Sequence, residues 1–266
     1  RAGAAVYALA GALAMGVLVR RPDRRRELAG LPRKYLCGCG ALFVAYTVVF
    51  YAAIGLARTR QQALEVALLN YLWPALTLLF AVLLLRVPAR STLLPAMALA
   101  LAGVFLVQTH GTPTPLHTFA ANWRAAPLPY ALGLLAAVLW GLYSALARKW
   151  AGGRGGGVLV FLPVSAAALL PLALPGGAPH TATGPRVLAE IAALGTASFL
   201  GYRFWDTAMR RGRIVLVAAA SFLTPLFSTI VSCLYLRVRP GWDLWAGCLL
   251  LVAGSFWSWR SVPEDR

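Results

Sequence analysis

Nine apolar runs, each close to the ~20 residues that cross a bilayer as a helix, follow one another at roughly 2–19, 35–56, 63–85, 93–109, 129–148, 157–174, 187–210, 214–236 and 242–260. Inside a bilayer the backbone has no water to bond, so such runs are confined to helices that satisfy their own amides. The connections are short and rich in Pro, Gly and Arg. Only 12% of the residues are charged, about half the share of a soluble domain. The pattern predicts an all-α polytopic membrane protein with the lipid bilayer as its surroundings.

The net charge of +17 raises nucleic acid as a partner. The basic residues are dispersed over many loops, however, and no nucleic-acid motif accompanies them, so none is expected. Sorting Lys and Arg by alternate sides puts seventeen on one side and seven on the other. The rich side holds Arg20, Arg21, Arg24, Arg25, Arg26, Arg33 and Lys34, then Arg86, Arg90, Arg148, Lys149 and Arg154. It also holds Arg210, Arg211, Arg213, Arg260 and Arg266. The positive-inside rule makes that side cytoplasmic, with residue 1 outside and the C-terminus inside. Cys37, Cys39, Cys233 and Cys248 lie in the apolar runs without metal-ligand spacing, and read as packing residues rather than a disulfide framework.

A shift of 151 residues superposes NYLWPALTLLFAVLLLRV on SFLTPLFSTIVSCLYLRV without a gap. Pro74 falls on Pro225, Arg86 on Arg237, Val87 on Val238, Ala102–Gly103 on Ala253–Gly254, and Tyr51 on Tyr202. The partners are five segments apart, an odd number, so the copies cross in opposite senses. That is an inverted-topology repeat, the recurrent build of secondary transporters. Segment five has no partner, because its partner would precede residue 1. The expected fold is therefore an inverted five-plus-five repeat of ten helices with the first missing from this chain. The first repeat covers 1–109, a connecting loop 110–128 and the second repeat 129–260.

Pro74 and Pro225 stand at the middle of segments three and eight. A proline in a helix interior frees the carbonyl four residues earlier, here that of Asn70 and of Ser221. Unsatisfied backbone at that depth is tolerated where it lines a cavity, and transporter sites lie there. Six of the nine tryptophans (Trp123, Trp150, Trp242, Trp245, Trp257 and Trp259) lie in loops or near segment ends, as an interfacial belt would. Trp73, Trp140 and Trp205 lie deeper, with Tyr143 three residues from Trp140 and Tyr202 three from Trp205. They point to a cavity wall for planar ligands, which Tyr46 and Tyr71 could join.

Ionisable groups within the segments are few: Glu65, Arg203, Asp206 and Asp243. Such groups are functional candidates by default. Arg203 and Asp206, at i,i+3, are placed to pair; Glu65 is near the outer end, where interfacial water could solvate it. GGRGGG at 152–157 lacks the Lys-Ser/Thr ending of a phosphate loop and reads as a flexible connection. His110, His117 and His180 fall in outer loops and read as solvated. No catalytic constellation stands in the segments, so no enzyme is expected.

WGLYS at 140–144, GYRFWD at 201–206, QALEVALLNYLWPALTLLFA at 62–81 and SFLTP at 221–225 give the chain its family likeness: it resembles the drug/metabolite transporter superfamily, EamA type, and within it the aromatic amino-acid exporters. The resemblance implies ten helices around a central cavity. It further implies export of Phe, Tyr and Trp from the bacterial cytoplasm across the inner membrane, with tolerance for other amino acids and some toxic cations, and no cofactor or metal. Glu65, Asn70, Tyr71, Trp73 and Pro74 stand at the family's NYLWP motif, Trp140 and Tyr143 at its mid-chain motif, Tyr202 and Trp205 at its seventh segment here, and Ser221 and Pro225 at the second-half motif. Asp206 replaces an amide.

The expectation is a monomeric exporter of aromatic and other apolar amino acids. The substrate would be held by Tyr46, Asn70, Tyr71, Trp73, Pro74, Trp140, Tyr143, Tyr202, Trp205, Ser221 and Pro225, with Glu65, Arg203 and Asp206 for gating or coupling. A carrier of drugs, cations or another metabolite is the alternative, and a passive pore or a scaffold a more distant one.

Overall fold

The computed structural model describes residues 2–109, 116–173, 184–236 and 241–263, and every regular element among them is a helix. Arg1, His110, His180, Arg237, Val238, Arg239 and Arg266 lie outside the described residues, as do the side chains of His117 and Asp243. Among the described residues, four helices are long and apolar enough to cross a membrane, Gly3–Arg20, Lys34–Gly55, Arg60–Leu85 and Pro127–Ala151. Leu93–Val107, Val158–Leu172 and Ile214–Ser228 are apolar but shorter. The chain is an all-α polytopic membrane protein.

In order, the elements are α1 (Ala2–Arg20), α2 (Pro22–Ala29), a π-helical stretch Lys34–Cys39 that runs into α3 (Gly40–Gly55), α4 (Arg60–Asn70), α5 (Trp73–Leu85) and α6 (Leu93–Thr109). Then follow α7 (Leu116–Ala125), α8 (Pro127–Ala151), α9 (Val158–Ala173), α10 (Pro185–Arg211), α11 (Ile214–Ser221), α12 (Thr224–Leu236) and α13 (Trp242–Arg260). Two of these, α2 and α7, occupy connections that the apolar pattern reads as loops. The pattern misses them because α2 is mostly charged, PDRRRELA, with no buried residue.

The two proline segments are interrupted at matching places. Each is interrupted by a two-residue tightened turn within its span, and its proline sits in the first turn of the following helix, where the missing N–H would have had no partner anyway. At the first break, Tyr71 N donates to Leu68 O at 3.0 Å, Leu72 N to Leu69 O at 3.1 Å and Leu76 N to Leu72 O at 3.0 Å. At the second, Phe222 N donates to Ala219 O at 3.2 Å, Leu223 N to Ala220 O at 3.0 Å and Phe227 N to Leu223 O at 3.0 Å. Every bond of the second set is one of the first displaced by 151 residues. The i→i+3 bonds tighten the end of each leading half-helix and absorb carbonyls that a helix end would leave unpaired.

Helices α6 and α13 pack through glycine with the same offset. A Cβ on Gly103 would lie 2.4 Å from the Leu251 nitrogen, and one on Gly254 would lie 2.3 Å from the Ala100 nitrogen. Residues 100 and 103 become 251 and 254 under the shift, so each contact is the other's mate. Rising numbers on α6 meet falling numbers on α13, so the two run antiparallel. Arg90 N donating to Ser261 O at 2.8 Å continues that direction. Small residues are what permit such close approach in lipid, where association relies on packing.

Helix α8 is the centre of the bundle, touching α3, α4, α5 and α10. Gly133 and Gly141 bring α4 and α5 against it: an added Cβ would meet Val66 at 3.1 Å and Leu76 at 3.0 Å. The end of α8 is set by Gly152, left-handed at φ 58°, a position that favours glycine.

Candidate functional site

Three tryptophans from three different helices converge on one cavity of roughly 340 Å³. Trp73, the first residue of α5, meets Trp205 of α10 edge-on at 5.0 Å and Trp140 of α8 at 6.3 Å. Trp140 and Trp205 lie nearly parallel, 6.2 Å apart. Tyr46 on α3 packs 4.7 Å from Trp140, and Tyr202 lies 5.5 Å from it. Ser198, Gly201 and Thr224 complete the lining. The offset and edge-to-face geometries are those that aromatic quadrupoles favour.

Hydrogen bonds hold these rings in place. Trp205 Nε1 donates to Ser144 Oγ at 3.1 Å, and Ser144 Oγ donates to the Trp140 carbonyl at 2.8 Å. The Tyr202 and Tyr7 hydroxyls share a bond of 2.5 Å. Phe43 supports the cluster from below, 5.3 Å from Tyr143 and 5.1 Å from Tyr202.

The remaining residues expected at this site are placed unevenly. Asn70, the last residue of α4, is buried, and its Oδ1 has no hydrogen-bond partner. Such an atom is costly unless a ligand or water satisfies it. Ser221 is buried too, but its hydroxyl donates to the Ala218 carbonyl at 2.6 Å. Pro74 and Pro225 are buried in the first turns of α5 and α12. Tyr71 does not line this cavity; it borders a separate apolar pocket with Leu68, Leu72 and Leu101. Tyr143 lies behind Trp140, 5.1 Å from it, and does not line the cavity.

The hydroxyl of Tyr143 belongs instead to a buried cluster around Asp206. Tyr143 OH donates to Asp206 Oδ1 at 3.1 Å and Tyr35 OH at 2.8 Å. Arg210 closes a salt bridge to Oδ2 at 2.9 Å. The expected Asp206–Arg203 pair does not form. On α10 the residue one full turn on, at i+4, reaches Asp206, while the Arg203 guanidinium lies 5.4 Å over the Phe199 ring. Arg210 also donates to the carbonyls of Gly153 and Arg154. The GGRGGG loop is thus pinned rather than flexible, and a Cβ on Gly155 would collide with that guanidinium. Arg148 caps the end of α10 by donating to Arg210 O at 3.0 Å and Gly212 O at 2.5 Å, as suits a cation at a helix C-terminus.

Glu65 is likewise not at a wet interface. It is buried and accepts hydrogen bonds from Tyr130 OH, from Asn122 Nδ2 at 3.1 and 3.3 Å, and from Gln61 Nε2 at 3.2 Å. These tie α4 to α7 and α8 without a cation. The i,i+4 spacing could have revealed Arg210; Tyr35, Asn122 and Tyr130 are distant in the chain and carried no local signal.

A multi-helix membrane protein with broken segments around an aromatic cavity defines a membrane transporter. The chain belongs to the EamA-like transporter family, whose pattern matches residues 127–260. It is 30% identical over 259 residues to the aromatic amino acid exporter YddG of Salmonella typhimurium, covering 97% of this chain and 86% of that protein. The Escherichia coli YddG is 29% identical over the same shares. The Ancylobacter novellus YddG is 30% identical over 82% of this chain and 72% of that protein. A crystal structure superposes with a TM-score of 0.77 at 22% identity, over 97% of this chain and 86% of that one, which shows the shared fold.

Proposed function

We propose that this protein exports aromatic and other apolar amino acids across the bacterial inner membrane by alternating access. Its substrate is held between two inverted five-helix repeats, the Arg-rich side and the C-terminus facing the cytoplasm. The convergence of Trp73, Trp140 and Trp205 on one cavity carries this reading, and the relatives named as aromatic amino acid exporters agree with it. At roughly 340 Å³ the cavity falls in the usual small-molecule range of about 300–1,000 Å³. The isologous glycine contacts and the matched breaks support the repeat.

The polar end of the substrate is recognised at the breaks. Helices α4 and α11 end there with their carbonyls, and α5 and α12 begin there with Trp73 and Thr224. Carbonyl ends carry partial negative charge and N–H ends partial positive charge. The ammonium therefore sits by Asn70 Oδ1 and the α4 terminus, and the carboxylate by the α12 N-terminus at Thr224. The three indoles hold the side chain by stacking and edge contact.

Proteoliposome flux of labelled Phe and Trp tests the reading, with Trp73→Ala as the cavity variant. Saturable flux that the variant weakens is expected. Flux no greater than in empty liposomes, or flux that never saturates, would refute it.

A further inference from the structure

A second cavity, of roughly 220 Å³, lies on the Arg-rich side of the Asp206 cluster. Arg24 and Glu27 of α2 and Arg203, Asp206, Arg210 and Arg211 of α10 bring charge to its wall. Both carboxylates already have cations: Glu27 takes Arg24 at 2.7 Å and Asp206 takes Arg210 at 2.9 Å. Arg211 turns its Nε to the Gly153 carbonyl at 3.3 Å. Among the described residues the Arg203 guanidinium meets no carboxylate or carbonyl, only the face of Phe199. Arg203 is half-buried on α10, and an arginine within a membrane segment is a functional candidate by default. Its planar fork matches a carboxylate.

Neighbouring residues of α10 reach the two cavities. Trp205 walls the aromatic cavity and its neighbour Asp206 walls this one. Tyr143 joins the two faces, its ring against Trp140 and its hydroxyl on Asp206.

We propose that this cavity is a second substrate site, a vestibule in which Arg203 binds the α-carboxylate of the amino acid on its way to the aromatic cavity. The wall carries four arginines against two carboxylates that are already ion-paired, so the space favours the carboxylate end of the ligand. The proposal rests on the exporter reading.

Initial rates of labelled Phe entry into inside-out and right-side-out vesicles of an expressing host, less those of the host alone, test it. Arg203→Gln should raise KM for Phe by about tenfold or more, the loss of one charge-assisted hydrogen bond, on the Arg-rich face only. Arg203→Lys should recover part of it. Inhibition by phenethylamine, which lacks the carboxylate, should be unchanged, and its retention shows that the variant is folded. A shift of equal size on both faces, or on neither, overturns the proposal. So does a defect that appears in phosphatidylglycerol-containing liposomes and vanishes in pure phosphatidylcholine, which would make the cavity a lipid headgroup site. Wild-type vesicles without Phe flux on either face would sink the exporter reading itself, and the vestibule with it.

Discussion

Removing the carboxylate of Asp206 should destabilise the protein by stranding the buried charge of Arg210. Asp206 and Arg210 are almost wholly enclosed, their side chains 2% and 4% exposed, and their 2.9 Å contact is supplemented by two tyrosine hydroxyls. Deleting one partner of such a pair strands the other charge, at a cost of about 3–5 kcal/mol. Asp206→Ala would leave the Arg210 guanidinium with only the Gly153 and Arg154 carbonyls. For a chain of this size about 1 kcal/mol corresponds to ~2–4 °C in Tm, so the drop should be on the order of 10 °C. Thermal unfolding of the purified protein in mild detergent reads it. Arg210→Ala should cost a similar amount, and the double variant should be far less harmful than the sum, because neither charge is then stranded. A coupling of at least about 2 kcal/mol is expected. Additive single effects, or a Tm within a degree or two of wild type, would refute the stranded-charge argument.

Glu65→Ala should release α7 from α4 and α8, since Asn122 and Tyr130 lose their acceptor; hydrogen exchange over 116–125 should speed up, and unchanged exchange there would count against the link. Gly254→Ala places a Cβ 2.3 Å from the Ala100 backbone and should cost about 1–3 kcal/mol by overpacking, and Gly103→Ala should cost about as much; a harmless substitution at either in a Tm measurement contradicts the packing. Trp205→Phe and Ser144→Ala each break the bond that orients the Trp205 indole. Both should weaken Trp transport to a similar degree, with little further loss when combined, and fully additive KM effects would show that they act separately.

The order of the apolar helices was legible in the chain because apolar length is a local property. A run near twenty residues can satisfy its amides as a helix whatever its neighbours. The matched stretches 151 residues apart were equally legible, and they marked both breaks. The aromatic cavity was foreshadowed in part. Trp73, Trp140, Trp205, Tyr46 and Tyr202 line it, whereas Asn70, Tyr71, Pro74, Tyr143, Ser221 and Pro225 do not. Helix phase decides which way a ring turns, and the break after Asn70 changes that phase by tightening the turn before α5.

What the tertiary structure decided are pairings between residues remote in sequence. Glu65 reads as an end-of-helix charge until Tyr130 and Asn122 are brought over it. Asp206 reads as a partner for Arg203 until Tyr35 and Tyr143 reach it and Arg210 takes the other oxygen. The glycine-rich loop reads as slack until its carbonyls meet Arg210. In each case burial sets the outcome. A charge in the membrane interior must find donors or a counter-ion from any helix that supplies them, and composition and spacing do not say which helix that is. Apolar length determined where the helices run and the two prolines marked where they are interrupted; the packing of α3, α8 and α10 determined which polar groups meet inside.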